Sequence, residues 1–350
     1  GRGNQMIQHI DLKPGWNWIS LNVINNDYRD VKNLLGRFQW HDGDMLTDKN
    51  HEISLLYQSG QWISNKGTAS LDKMTLSVKE SYRVSVNQPM TIELIGSTIN
   101  TEGDRTINVK QGWNSIGYTP LVNLPVTTAL ADYLDELEDG DVVKSKNEFA
   151  MFYQAADGSS EWKGNLKYMK PGEGYMLYRI HAGETSFIYP YFEANTAFFF
   201  DFAEQKVKRF NAYNGNMSLV AVADGVELQK GDRLLALAGS EVRGVAEADC
   251  NEEEENKPVF YLSIEGDANA ALSFALERDG EIIATADNVM KYKTNDIVGS
   301  PAMPTSISFV QQEGAVLPHD GWYTLQGVKL KGAPVSNGVY IYDGHKVLIK

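Results

Sequence analysis

The sequence predicts a mainly β protein. Two tandem homologous β-rich modules, each with one helix, are followed by an antiparallel β-sandwich and a C-terminal β-hairpin tail. Three observations predict this. First, a motif recurs: Ile10, Lys13, Gly15, Trp16 and Asn17 return 97 residues later as Ile107, Lys110, Gly112, Trp113 and Asn114. A unit of roughly a hundred residues is domain-sized and too long for a solenoid repeat. Second, the chain holds 17 Tyr, 13 Phe and 7 Trp, and many sit in runs that alternate apolar and polar, as half-buried strands do. Third, Gly- and Asp-rich turn signals recur roughly every ten residues through the second half, the spacing of a sandwich.

The first module spans residues 8–97. Pro14-Gly15 is a tight-turn signal ahead of a strand in which Trp16 and Trp18 share a face with period two. Residues 28–38 are the best helix, with Val31, Leu34, Leu35 and Phe38 on one side and Asp27 as cap. Strands follow over 53–58, 62–64, 81–86 and 91–95, with Tyr82, Val84 and Val86 alternating. The second module, 105–190, repeats the plan. Its helix is expected over 126–137, with Leu130, Leu134 and Leu137 on one face, and its strands over 141–144, 149–154, 174–178 and 185–189. Further landmarks recur. Gly43-Asp44 matches Gly140-Asp141, Tyr57-Gln58 matches Tyr153-Gln154, Trp62 matches Trp162, and Tyr82 matches Tyr175.

Residues 191–210 form a joint whose apolar run 198–202 needs cover. A β-sandwich is expected over 211–309, its strands separated by turns such as Asp224-Gly225 and Asp279-Gly280. The tail, 321–350, reads as a strand followed by a hairpin about Asp343-Gly344, a favoured two-residue turn.

The tail carries a family resemblance. Leu325-Gln326-Gly327, then Gly338-Val339-Tyr340-Ile341, Asp343-Gly344 and a closing Lys346-Val347-Leu348-Ile349-Lys350 resemble the C-terminal sorting domains of secreted Bacteroidetes proteins, with a shorter hairpin loop than the longer members. The resemblance covers residues 322–350 and implies export, with the export machinery as a partner, and an extracellular or outer-membrane-surface location. Residues 231–246 with 296–301 resemble a β-domain common just before such tails. The Gly-Trp-Asn repeats resemble modules of multidomain bacterial surface proteins. Neither brings a catalytic residue to carry over.

Composition narrows the function classes. A formal net charge of -14 argues against nucleic acid and against an anionic membrane surface, both of which need clustered Lys and Arg. No apolar run reaches the length of a membrane span. The single Cys250 permits neither an internal disulfide nor a cysteine metal cluster. The start at Gly1-Arg2-Gly3, without Met, reads as an excised fragment.

Catalytic signals are weak. Gly-x-Ser-x-Gly does not occur, and the six His residues are scattered. His41 and His51 flank a loop with Asp42, Asp44, Asp48 and Glu52, which could hold a metal or an acid–base pair but reads more simply as a solvated loop. Asp132, Asp135, Glu136, Glu138 and Asp139 read as the wet face and end of a helix, and the 252–255 acidic run as solvation. The Lys-x-Gly-Trp turns lack the glycines and following helix of a phosphate loop. No cofactor is expected. Zinc and EF-hand spacings are absent, while oxygens near Asp224 or Asp157 leave room for a weak calcium site.

Aromatics are the best binding handle, since an exposed ring can stack on a sugar. Trp18, Trp40, Trp62 and Trp162 lie near polar partners. Trp18 becomes Ser115 in the second copy and Trp40 lacks a clear counterpart, which makes these two the candidates for a surface role. Trp62 and Trp162 recur and read also as core. Gly15, Trp16, Asn17 and Gly112, Trp113, Asn114 recur in strict register and read as the turn and core anchors of the duplicated fold. The expected role is a non-catalytic extracellular or cell-surface accessory region that binds a glycan or protein ligand, serves adhesion or acts as a spacer. The alternative is the accessory region of a secreted hydrolase whose catalytic domain lies before residue 1, binding glycans through exposed aromatics.

Overall fold

The computed structural model describes residues 5–67, 71, 74–192, 210–249, 257–267, 269–310, 321–325, 328–343 and 345–350. The apolar run 198–202, Cys250, the 252–255 acidic run and His319 lie outside the described residues. The chain is mainly β, with 53% of the described residues in strands and 8% in helices. It divides into two compact units between residues 205 and 206, within the expected joint. None of the described helices is long and apolar enough to cross a membrane.

In the first unit, module one contributes β1 (Gln5–Leu12), β2 (Gly15–Ser20), β3 (Val23–Ile24), β4 (Met45–Asp48), β5 (Ile53–Gln58), β6 (Gln61–Ser64), β7 (Ser81–Val86) and β8 (Met90–Thr98). They form two sheets, β2-β7-β4-β5-β6 and β1-β8-β3. Module two contributes β9 (Thr106–Ile116), β10 (Leu124–Pro125), β11 (Val142–Lys144), β12 (Phe149–Gln154), β13 (Ser160–Gly164), β14 (Tyr168–Met169) and β15 (Tyr175–Ile188). Its sheet β9-β15-β11-β12-β13 has the order of module one's larger sheet. Here β9 and β15 are long enough to make the second pairing as well, with a bulge between Arg179 and Glu184.

Register fixes the equivalences. Trp16 pairs with Ser85 and Ile19 with Tyr82; Trp113 pairs with Tyr178 and Ile116 with Tyr175. Tyr82 and Tyr175 are therefore equivalent, as the sequence suggests. The Tyr57–Tyr153 match needs correction by one residue. Tyr57 faces Trp62 and Phe152 faces Trp162, so Tyr57 corresponds to Phe152. The backbone agrees: Gly43 donates to the Tyr57 carbonyl and Gly140 to that of Phe152.

The two expected helices are each broken. In module one a 3-10 turn, Asn26–Arg29, precedes a helix of five residues, Val31–Leu35. The caps are Asn25 and Asp30, not Asp27; Asp30 adopts an extended backbone and accepts from the Lys32 N–H at 2.9 Å, which restarts the helix. The apolar face survives, with Val31, Leu34 and Leu35 buried. In module two the helix Val126–Ala129 gives way to a 3-10 run, Ala131–Glu136. With three residues per turn, Tyr133 follows Leu130 into the core and Leu134 is turned out, 52% exposed.

The modules meet through the same surface of each. The Ser20 N–H donates to the Gly172 carbonyl at 3.0 Å, and its equivalent Gly117 donates to Lys79, the equivalent of Gly172, at 2.9 Å. Gly174 donates to the Trp18 carbonyl; the equivalent pair, Ser81 and Ser115, touch through their hydroxyls at 2.7 Å. Equivalent residues also meet each other directly, as on a two-fold axis: Arg83 Nη2 lies 2.8 Å from Met176 Sδ, and a Cβ on Gly174 would lie 2.8 Å from the Ser81 Cβ. The arrangement is a pseudo-two-fold pairing within one chain. It explains why Ser81 and Arg83, on the opposite face of β7 from Tyr82 and Val84, are buried as well.

The second unit is built on β16 (Gly215–Asp224), β17 (Arg233–Ala238), β18 (Glu241–Glu247), β19 (Val259–Gly266), β20 (Ala271–Arg278), β21 (Glu281–Lys291), β22 (Ile297–Val298), β23 (Thr305–Val310), β24 (Trp322–Thr324), β25 (Gly338–Tyr342) and β26 (His345–Ile349). They belong to a single hydrogen-bonded sheet that folds back on itself in a sandwich-like layer. A Cβ on Gly244 of β18 would come within 2.4 Å of the Ser263 carbonyl of β19, so only glycine allows that approach. Most pairings are antiparallel, but β22 and β23 run parallel to β16. Residues 321–350 are not set apart, because β25 pairs with β18 and β26 with β21. Both faces of β17 are consequently buried: Leu234 and Ala236 enter one core and Leu235 and Leu237 another, shared with Val339.

An ion pair on a buried carboxylate, that of Asp232, helps to hold this unit. Arg278 donates through Nε and Nη2 to the two oxygens of Asp232, each at 2.7 Å, and the Gln229 N–H donates at 2.8 Å. Burial opposes the Asp232 charge, but the Arg278 and Gln229 bonds outweigh it and hold the carboxyl below its ordinary range. A lowered folded-state pKa contributes stability above the unfolded value of about 3.9 and loses it as pH falls further. Asp232→Asn is expected to cost about 1–2 kcal/mol at neutral pH. In urea titrations the gap from wild type should close below about pH 4; a gap independent of pH would contradict this account.

Candidate functional site

The duplicated motif is consumed by folding. Gly15 and Gly112 sit at φ 90° and 86°, a region open to glycine, and turn the chain into β2 and the second half of β9. The Asn two residues on closes each turn. Asn17 Oδ1 accepts from the Lys13 N–H at 3.0 Å, and its Nδ2 donates to the carbonyls of Lys13, Gly15 and Val84 at 2.8, 3.0 and 3.3 Å. Asn114 repeats the set: Oδ1 accepts from Lys110 at 2.9 Å, and Nδ2 donates to Lys110, Gly112 and Leu177 at 2.8, 3.0 and 3.3 Å. Asn is the anchor. Trp16 and Trp113, expected in the core, are only half-buried, with the Trp113 ring centroid 5.1 Å from that of Tyr178.

The other repeated landmarks are structural too. Asp44 accepts from the His41 and Asn87 N–H groups, both at 2.8 Å, as Asp141 accepts from Glu138 and Ile180 at 3.1 and 2.8 Å. Burial raises the Asp141 carboxyl above its ordinary range. Tyr82 and Tyr175 each accept a backbone N–H at 2.7 Å, from Ser77 and Lys170, and each donates to a carboxylate, Glu80 or Glu173.

The aromatic candidates need correction. None of the seven Trp residues is exposed. Trp18 is 6% and Trp40 8% exposed, so the two residues expected at the surface are the most buried of the set. The Trp18 ring lies under the Arg83 guanidinium, 4.0 Å from its centroid, against the seam. Trp40 donates to the Leu35 carbonyl at 2.7 Å and meets Trp62 edge-on at 5.1 Å. Trp62 and Trp162 are half-buried against Tyr57 and Phe152 and retain part of their surface.

The seam also gathers cations. Lys144 is fully buried, its ammonium 4.3 Å from the Trp113 ring and 5.9 Å from the Trp18 ring. Burial, then the charges of Arg83 and Lys146, hold its amine well below the ordinary range. Periodicity gives no sign of this; strand β11 reads as Val-Val-Lys, and the lysine lies between a tryptophan of each module.

The loop flanked by His41 and His51 does not form one site. His41 stays with Asp44, Asp42 accepts from the Ser59 N–H, and Glu52 faces Lys66 at 3.8 Å. His51 instead joins Asp48 and Glu80. Its Nδ1 is 2.8 Å from Asp48 Oδ2 and 3.8 Å from Glu80 Oε2. The Asp48 bond raises the His51 pKa, and burial, then the Asp48 charge, raises that of Glu80. The role of Glu80, distant in sequence, was missed at the sequence level. The acidic residues 132–139 serve the fold, since Asp132 caps the Ile188 N–H, Glu136 pairs with Arg179 and Glu138 with His181. The two calcium candidates are otherwise engaged. Asp224 bonds Lys257 and Ser306, and Asp157 accepts from the Ser159 N–H and hydroxyl in a hairpin turn.

Compared with family models, with curated proteins and with solved structures, the chain finds no significant match.

Proposed function

We propose that the chain is a non-catalytic accessory region of an extracellular or cell-surface protein, one that serves adhesion or holds a neighbouring domain at a fixed distance. The observation that supports this reading is the pseudo-two-fold seam. Polar groups of both modules, from Asn22 bonding the Tyr118 and Pro120 carbonyls to the Ser81–Ser115 pair, are spent on locking one module to the other. An active site keeps such groups free for a substrate; a spacer uses them for stiffness. The tail's resemblance to sorting domains supplies the export step in this reading.

Rigidity is the test. Spin labels at Ile63 and Leu134, exposed positions in the two modules, in a Cys250→Ser background, should give one narrow distance distribution by pulsed dipolar spectroscopy. A broad distribution would reject the spacer. Glycan binding is the second reading, favoured only by the remaining surface of Trp62 and Trp162. A glycan array should show either no binding or binding that Trp62→Ala and Trp162→Ala abolish; the latter result would move the assignment to a lectin-like accessory region.

A further inference from the structure

We propose that Asp48, His51 and Glu80 form a mononuclear site for a divalent transition metal ion of the zinc type, carried by the first module alone. Asp48 Oδ2, His51 Nδ1 and Glu80 Oε2 all lie within 4.8 Å of one another. An ion held about 2.1 Å from each donor needs the donors roughly 3.0–3.4 Å apart, and two of the separations here are 2.8 and 3.8 Å. Small side-chain rotations therefore complete the site. The donor set points to the ion class: one imidazole with two carboxylates suits zinc and its neighbours, whereas calcium and magnesium take oxygen donors.

The donors are held from behind. Asp48 is nearly fully buried, and its other oxygen accepts the His51 N–H at 3.1 Å. Glu80 is bonded by the Asn50 side chain and by the Tyr82 hydroxyl at 3.5 Å. Lys66 donates to the His51 carbonyl at 2.8 Å. Such outer contacts orient ligands in metal sites. The imidazole is 58% exposed, so the outward side is open to water or an external ligand.

Comparison of the copies separates the fold's needs from the remainder. Glu173 takes the place of Glu80 and keeps its bond to the tyrosine, Tyr175, so the fold accounts for that carboxylate. The place of Asp48 is held by Ser145, and the shorter loop before β12 has no counterpart of His51 and Glu52. The buried Asp and the His beside it are additions to module one that its partner folds without.

The test is titration of the metal-free full chain with Co2+ and with Zn2+, read by calorimetry and by the visible absorption of bound Co2+. One ion per chain is expected. His51→Ala, at an exposed position where unfolding is not at issue, and Asp48→Ser, which copies the second module, should each weaken binding at least tenfold. Glu173→Gln should leave it unchanged. Absence of stoichiometric binding by the wild type would overturn the proposal. So would an affinity that survives both first-module substitutions in chains whose circular dichroism is unaltered.

Discussion

Gly117→Val is expected to detach the two modules from one another. A Cβ at this position would lie 2.1 Å from the Val78 carbonyl oxygen and 3.0 Å from the Glu80 backbone nitrogen, and backbone atoms cannot swing aside as a side-chain tip can. The segment opposite is fixed, since the Ser77 N–H is tied to the Tyr82 hydroxyl. Relief requires the seam to part, and the bond from the Gly117 N–H to the Lys79 carbonyl goes with it. The expected loss is about 3 kcal/mol, the upper end of what overpacking costs. It should appear as a lower urea midpoint and a larger radius of gyration in solution scattering. Gly103→Ala, where an added Cβ meets nothing within 4 Å, is the control. Equal scattering curves for the two variants would reject the seam as drawn. The equivalent position in module one already carries a side chain, because Ser20 has room for its hydroxyl to donate to the Glu173 carbonyl at 2.7 Å. The pairing is two-fold in its backbone and asymmetric in its filling.

Asn114→Ala should cost about 3 kcal/mol. Four hydrogen bonds end on this side chain, each contributing roughly 0.5–1.5 kcal/mol net, and backbone groups with little access to water lose their partner. Asn17→Ala removes the same four bonds, but Asn17 is only half-buried while Asn114 is 7% exposed. Water can replace part of what is lost, so about 2 kcal/mol is expected there. Asn114→Asp should be worse than Asn114→Ala, because it sets a negative charge against three carbonyl oxygens. Urea denaturation of the three variants checks the order; a larger loss at Asn17 than at Asn114 would show that burial does not set the scale.

Much of the architecture was legible because strands announce themselves locally. Alternation marked β7, β5 was expected over the residues it occupies, and Asp279-Gly280 marked a hairpin where Arg278 does face Glu281; in the tail Tyr342 faces His345, while Gly344 lies outside the described residues. The helices were less legible. A period of 3.6 cannot be told from successive 3-10 and α turns over ten residues, and the restart at Asp30 depends on a backbone angle. Burial was the least legible quantity. Variation between Trp18 and Ser115 suggested a free surface, yet both positions lie at the seam, where the two sides must complement rather than copy one another: Trp18 carries Arg83 on its face, while Ser115 meets Ser81. The Asp48–His51–Glu80 cluster was half-visible, since its two loop residues are near in sequence and the third comes from a strand that only folding brings alongside.

A contact made from the same patch on both partners saturates itself. Repeats joined head to tail leave a bare face at each end, and a row of them can lengthen without limit. The two modules described here have each spent this docking patch on the other. Their copy number consequently has a parity. Two in tandem are complete, and a third would stand with its patch uncovered, ready to recruit the odd module of another chain. Lengthening a protein of this kind means adding modules by twos.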